Sequence, residues 1–378
     1  MISCQDFFNI LKENGFTFFT GIPDSTFKNF MKFIMDNDGK CLQNVVACNE
    51  CEAIALSAGY YLATKRIGIV YMQNSGLGKA VNPLTSLCDP EVYAIPMLLM
   101  IGWRGEPKKK DAPQHKKMGR ITLSLLDTLE IPYAVLKADL NQIKKDVNDA
   151  IEYFNRSKGP YAFIVRKDFF RDYDMKTALK NNYELTREEA ISIVMAQSGE
   201  NDVIISTTGF TSREVYEYRE NRKKDHFKSL YNIGSMGCAS SIALSIAIQK
   251  PNKRTIIFDG DGAAIMQMGA FTTIGKYTPI NLVHIIFNNR IHETTGGQPT
   301  NSEAINFLQI ALACNYKEGR VVNSKEELLK AFIESKTKEG PIIIVINVRK
   351  GFRANLKRPK QDPKDYKENF INFLTESK

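Results

Sequence analysis

The stretch "IIFDGDGAAIMQ", residues 256–267, decides the fold. A continuous apolar run stops at two carboxylates set between glycines, and a helix-compatible segment follows. An uninterrupted apolar run of this kind suits a parallel strand buried on both faces. Three readings of its polar end compete: a nucleotide loop, a metal site, or a tight turn. A dinucleotide fingerprint requires G-x-G-x-x-G, but Gly260 and Gly262 are followed by Ala263, Ala264 and Ile265, so the third glycine is missing. A metal site requires a second oxygen ligand. If residues 262–276 form a helix and 281–287 the returning parallel strand, Asn288 and Asn289 arrive at the same sheet edge as Asp261. A carboxylate, an amide oxygen and a backbone carbonyl suit Mg²⁺. The helix start offers amide N–H groups and a positive dipole end to a phosphate. Sheet-edge geometry alone leaves a diphosphate–Mg²⁺ site and a plain turn level.

Outward from this stretch, short apolar runs alternate with helix-length spacers. In the first half these runs are 16–21, 44–48, 67–72, 95–102, 132–136 and 160–165. In the second half they are 202–207, 228–234, 255–258, 281–287 and 341–347. Such alternation predicts an α/β fold with parallel sheets wrapped by helices. Between the halves the chain turns polar. The reading is therefore a domain over 1–167, a linker over 168–186 and a second domain over 187–378.

Composition narrows the function classes. With 43% apolar and 25% charged residues, 378 residues can build two cores. No apolar run approaches the roughly 18 residues of a membrane span, and the start "MISCQDFFNILKENG" is unlike a secretory signal, so a cytoplasmic protein is expected. Seven scattered cysteines are not a disulfide framework. Cys48-x-x-Cys51 has redox or zinc spacing, but no second cysteine pair or suitably spaced histidine completes a zinc site. The net charge of +9 is concentrated in runs at 107–117, 221–228 and 349–364, which read as solvated surface. A nucleic-acid module would use these runs, yet it has no need of the motifs that follow, and neither nucleic acid nor membrane is expected as a partner.

The order and spacing of GDG, 25 residues, then NN resemble the cofactor signature of thiamin-diphosphate enzymes. The resemblance implies that Asp261, Asn289 and the carbonyl of Ile291 hold Mg²⁺, with Gly260, Gly262 and Ala263 lining the diphosphate and Asp259 in the background as a structural loop residue. "NECEAIALSAGYYLAT" (49–64) resembles the family's N-E-x-x-A…G-Y segment, which makes Glu50 the carboxyl group that activates the cofactor's aminopyrimidine. By itself Glu50 would read as a glutamate stabilising a helix dipole. "NIGSMGCASSIALSIA" (232–247) places Met236 where related decarboxylases carry an apolar wedge beneath the cofactor, with Gly234 and Ser235 beside it. Thr207 and Thr208 in "STTGF" are further cofactor contacts. Cys238 departs from the histidine expected after the wedge.

No middle domain fits between the halves. The compact arrangement resembles the phosphonopyruvate and sulfopyruvate decarboxylases, through "GIPDSTF" (21–27), "YMQNSGLGKAVNPLTSL" (71–87), "PQHKKMGRITLSLLDTL" (113–129) and "HETTGGQPT" (292–300). It implies two thiamin-diphosphate-binding domains, one for the pyrimidine and one for the diphosphate, and a non-oxidative carboxy-lyase. The match is closer to the phosphonopyruvate enzymes, with sulfopyruvate or another 2-keto acid as the alternative, and carboligation not excluded by sequence. A substrate with a carboxylate plus a phosphonate or sulfonate calls for cations and donors. Arg104 and Arg213 are the candidate cations, with Ser25, Gln73 and Asn74 as orienting groups. Proton transfer after CO₂ loss needs acid–base groups. Asp24, His115 and His292 lie in loops resembling site loops, whereas His284 inside an apolar strand reads as a core residue. The resemblance also implies a homodimer or higher oligomer, with active sites between chains.

Overall fold

A computed structural model describes residues 1–177 and 181–375, so residues 178–180 of the expected linker lie outside the described residues. The chain forms two compact units: residues 1–177 together with 292–299, and residues 181–291 together with 300–375. The units therefore do not divide at one point. A short segment from the second half belongs with the first.

The first unit holds β1 (Phe18–Gly21), β2 (Gln43–Val46), β3 (Ile69–Gln73), β4 (Leu98–Gly102), β5 (Tyr133–Val135) and β6 (Tyr161–Val165). They form one sheet in the order β2-β1-β3-β4-β6-β5, and every pairing is parallel. β3, β4 and β6 are buried almost throughout, as strands covered on both faces must be. Its core is phenylalanine-rich. Phe7 meets Phe30 and Phe170 edge-on, each at 5.2 Å, and Phe30 stacks on Phe170 at 4.9 Å.

The second unit holds β7 (Val203–Ser206), β8 (Ser229–Tyr231), β9 (Thr255–Gly260), β10 (Leu282–Asn288), β13 (Glu318–Val322) and β14 (Ile342–Asn347). The order is β13-β14-β10-β9-β7-β8, again wholly parallel. A small pair, β11 (Ile291–His292) and β12 (Gln298–Pro299), follows β10. Strand β13 has no counterpart among the sequence-predicted strands. Its "EGRVV" is an edge strand with its middle exposed, so it carries neither an apolar run nor a clean alternation.

The helix expected over 262–276 is two helices, Asp261–Met266 and Gly269–Tyr277, broken at Gln267 and Met268. The register nevertheless does what the crossover argument requires. Gly260 pairs with Phe287, so Asp261 and Asn288–Asn289 leave the sheet at the same carboxyl edge.

Candidate active site

The site residues divide between the two carboxyl edges, each described within its own unit. In the first, β2 leads into the helix Glu50–Thr64, where Asn49 caps by accepting from the Glu52 amide at 3.0 Å. Glu50 thus opens the helix and is only 7% exposed. Among the described residues its Oε2 has no hydrogen-bond partner, and Lys79 Nζ lies 3.8 Å away. A methyl group on Gly76 would lie 2.6 Å from both Cγ and Oε1 of Glu50. Glycine at 76 is what lets the carboxyl group lie there.

Asp24, after β1, is 1% exposed, and among the described residues neither carboxylate oxygen has a hydrogen-bond partner. Burial pushes its pKa above the usual carboxylate range, although Thr26 and the Arg104 charge act against this. It lies against the end of β4, where a methyl group on Gly102 would come within 1.8 Å of Oδ2.

Arg104 differs from the sequence expectation. Its Nε and Nη2 donate to Asp111 at 2.9 and 2.6 Å, and Nη1 donates to Ser25 Oγ at 2.9 Å. The carboxylate of Asp111 already occupies the guanidinium fork and is itself held well below its ordinary pKa by Arg104 and two backbone amides, against the opposing effect of burial. Asn74 is fully buried with its amide engaged: Nδ2 donates to the Arg104 carbonyl at 2.8 Å and Thr122 Oγ1 at 2.9 Å, and Oδ1 accepts from the Arg104 amide at 3.3 Å. It positions the Arg104 loop instead of presenting a free amide to substrate. Gln73 donates to Ser75 Oγ at 2.5 Å, and His115 is half-buried in the first turn of the helix Pro113–Thr128. His292 falls in the segment that belongs with this unit, and burial pushes its pKa down to about 4, which makes it a neutral imidazole at pH 7.

In the second unit Asp261 opens the helix after β9, is 3% exposed, and accepts from Thr300 Oγ1. Burial raises its pKa to about 6. The Thr300 amide donates to the Arg290 carbonyl at 3.0 Å, which draws the 300 loop over the end of β10. Asn289 is buried, and its Oδ1 accepts from the Ile291 amide at 3.1 Å, leaving a second lone pair. This is a hard-oxygen set of one carboxylate, one amide oxygen and nearby carbonyls, which fits Mg²⁺ and not a soft metal. No group of three His, Cys, Asp or Glu side chains that could hold a metal ion exists among the described residues, and Cys48 and Cys51 form no disulfide.

Thr207 is buried after β7, its hydroxyl without a hydrogen-bond partner among the described residues, and Thr208 beside it is half-buried. Met236 is half-buried between two residues of left-handed backbone, Ser235 (φ 49°) and Gly237 (φ 86°). A serine held there costs on the order of 1–3 kcal/mol, a pattern that clusters at functional turns. Arg213 packs over the Phe210 ring at 5.3 Å, and no carboxylate among the described residues pairs with it.

Buried polar atoms without partners are rare in folded proteins. Here those of Asp24, Thr26, Glu50, Thr207 and Asn288 all follow or end strands at the carboxyl edges. Groups missed in the sequence are Asp111, whose partner Arg104 lies seven residues earlier across an irregular loop, and Thr300, Gly76 and Gly102, whose partners are remote in the chain. No local spacing marks them.

A model described as "Thiamine pyrophosphate enzyme, N-terminal TPP binding domain" matches residues 4–124, and one described as "Thiamine pyrophosphate enzyme, C-terminal TPP binding domain" matches residues 207–346. The phosphonopyruvate decarboxylase of Streptomyces hygroscopicus is 31% identical, over 100% of this chain and 95% of that one. Its namesake from Streptomyces viridochromogenes is 30% identical over 99% and 96%. The sulfopyruvate decarboxylase of Methanosarcina acetivorans is 26% identical over 85% of each chain. With two parallel sheets bearing orphaned polar groups at their carboxyl edges and matches along its whole length, the chain belongs to the phosphonopyruvate decarboxylase family of thiamine pyrophosphate enzymes.

Proposed function

We propose that this chain is a Mg²⁺- and thiamin-diphosphate-dependent decarboxylase that converts 3-phosphonopyruvate to phosphonoacetaldehyde and CO₂. The observation carrying the reading is the pairing of an orphaned, buried Glu50 with the buried Asp261–Asn289 oxygen set in one chain. Substrate choice rests on the two relatives aligned over essentially the entire chain, with sulfopyruvate as the second reading through the more distant one.

Asp261, the Asn289 side chain and the Ile291 carbonyl would hold Mg²⁺, while Thr207, Thr208 and residues 260–263 would receive the diphosphate. Met236, Ser235 and Gly234 would support the bound cofactor. When bound, thiamin diphosphate supplies the electron sink that lets CO₂ depart. Glu50 would face the pyrimidine of the bound cofactor, where its Oε2, without a hydrogen-bond partner among the described residues, could hold or release a proton. Asp24, whose burial favours its protonated form, is the group suited to donate a proton after CO₂ loss. His292, a neutral imidazole, and His115 can relay that proton. Arg213 is a better anion ligand than Arg104, whose fork is closed by Asp111. Ser25 and Gln73 remain as donors toward substrate.

The active unit is a homodimer or larger, with Glu50 of one chain serving the diphosphate half of another. The apolar helices Glu50–Thr64 and Ala239–Gln249 are suited to pairing, since Leu62 and Ile248 are exposed on them. No helix among the described residues is long and apolar enough to cross a membrane, and we assign the enzyme to the cytoplasm. The test is to supply the purified chain and cofactors with phosphonopyruvate, sulfopyruvate or pyruvate separately and to measure CO₂ and aldehyde. Faster turnover of sulfopyruvate or pyruvate overturns the substrate assignment.

A further inference from the structure

One polar cluster lies inside the core of the second unit, beneath the loop that carries Asp261. Asp259, His284 and Tyr316 are 0%, 0% and 3% exposed. Asp259 pairs with Ile286 across β9 and β10, so His284, two residues earlier, is its diagonal neighbour on the same face. Asp259 Oδ1 accepts from the Gly260 amide at 3.0 Å. Its Oδ2 lies 3.5 Å from His284 Nε2, and neither atom has a closer polar partner among the described residues. His284 Nδ1 lies 3.1 Å from the Tyr316 hydroxyl. The Phe271 ring packs on both, 5.3 Å from His284 and 5.7 Å from Tyr316, and closes the cluster with apolar surface.

Three polar groups in such a core are costly unless each is paired. A carboxylate only accepts, and a phenol can donate. An imidazole carrying its hydrogen on Nε2 therefore fits all three, with Nε2–H facing Asp259 across the 3.5 Å contact and the Nδ1 lone pair receiving the Tyr316 hydroxyl. The other tautomer sets a lone pair against the carboxylate.

We propose that Tyr316, His284 and Asp259 form a positioning relay that fixes the Gly260 amide and, through it, the direction in which Asp261 meets Mg²⁺–diphosphate. His284 is a positioning residue: it touches neither cofactor nor substrate. The proposal rests on the cofactor reading above, but assigns a role to a histidine that otherwise reads as core filling. A core role predicts lost stability alone, whereas positioning predicts lost Mg²⁺ affinity that a suitably shaped amide restores.

The test uses the full-length chain. Nitrogen-15 NMR of the wild-type imidazoles should show a His284 with Nε2 protonated and Nδ1 bare; a proton on Nδ1 alone overturns the relay. Calorimetric titration with Mg²⁺ at fixed thiamin diphosphate should show His284→Phe weakened by about tenfold, the lower end for groups that orient metal ligands from behind. His284→Gln, which offers an amide N–H to Asp259, should recover most of that loss, and kcat at saturating Mg²⁺ should be unchanged in both. Should His284→Phe fail to fold, Tyr316→Phe decides, with a smaller weakening in the same direction. Variants that melt lower but bind Mg²⁺ as the wild type does overturn the positioning role. A wild-type chain that takes up no Mg²⁺ with thiamin diphosphate overturns the underlying cofactor reading instead.

Discussion

Glu50 shows how a single side chain acquires a function from its surroundings. The Asn49 cap sets where the helix begins, β2 delivers it to the sheet edge, and Gly76 leaves room for its carboxyl group. Glu50→Gln keeps the shape and removes the exchangeable proton. Turnover should fall by about 10²–10⁴-fold, the usual contribution of a positioned acid or base, while calorimetry finds Mg²⁺-dependent cofactor binding intact. Retained activity would sink the assigned role. Gly76→Ala tests the same carboxyl group from the other side. Its backbone, near φ −74°, accepts alanine, so the added methyl acts by crowding Glu50, with kcat expected to drop about 100-fold for a displacement on the order of 1 Å. A stability loss of about 1–3 kcal/mol should accompany it, measured by denaturant titration.

At the scale of elements, the basic run at 349–364 is more than solvated surface. Phe352 stacks on Phe210 at 3.9 Å, Arg353 forks onto Glu188 at 2.8 Å and also reaches Glu217, and the Lys357 amide donates to Glu217 at 2.7 Å. The run is a strap joined to Glu188 on the helix Arg187–Gln197 and to Glu217 on the helix Phe210–Asn221. Burial works to raise the Glu217 pKa, but the Lys357 amide and Arg353 outweigh it and hold it low. A depressed carboxylate pKa adds stability that is fully present above the ordinary glutamate value of about 4.3 and is lost as pH falls through the folded value. Protection factors against hydrogen exchange in residues 351–360 should therefore fall on acidification below about pH 4 before those in β9 and β10 do. Arg353→Ala, by leaving buried Glu217 short of a partner, should cost about 1–3 kcal/mol at neutral pH and abolish this early transition. A charge count gives the run no address, because its partners lie more than a hundred residues away.

At the scale of the whole molecule, the assembly itself is testable. Chains carrying Glu50→Gln and chains carrying Asp261→Asn should each be inactive. Co-expressed in equal amounts as dimers with sites shared between chains, half of the dimers are mixed and each regains one intact site, so about a quarter of wild-type activity should return. No recovery would contradict sites built between chains.

What the sequence alone determined was local or strictly ordered: apolar runs alternating with helical spacers, a polar break between the halves, a glutamate opening an alanine-rich helix, and GDG followed at fixed distance by NN. A parallel crossover returns the chain to the same sheet edge, so spacing suffices to bring Asp261 and Asn289 together. The tertiary structure alone decided that Asp111 closes the fork of Arg104, that Asn74 is a buried clamp, and that Thr300 reaches Asp261 from 39 residues away. It also decided that the helix breaks at Gln267 and that polar "EGRVV" completes the sheet as an edge. These depend on which side chains meet after loops of irregular length are closed, and packing, not periodicity, selects those partners.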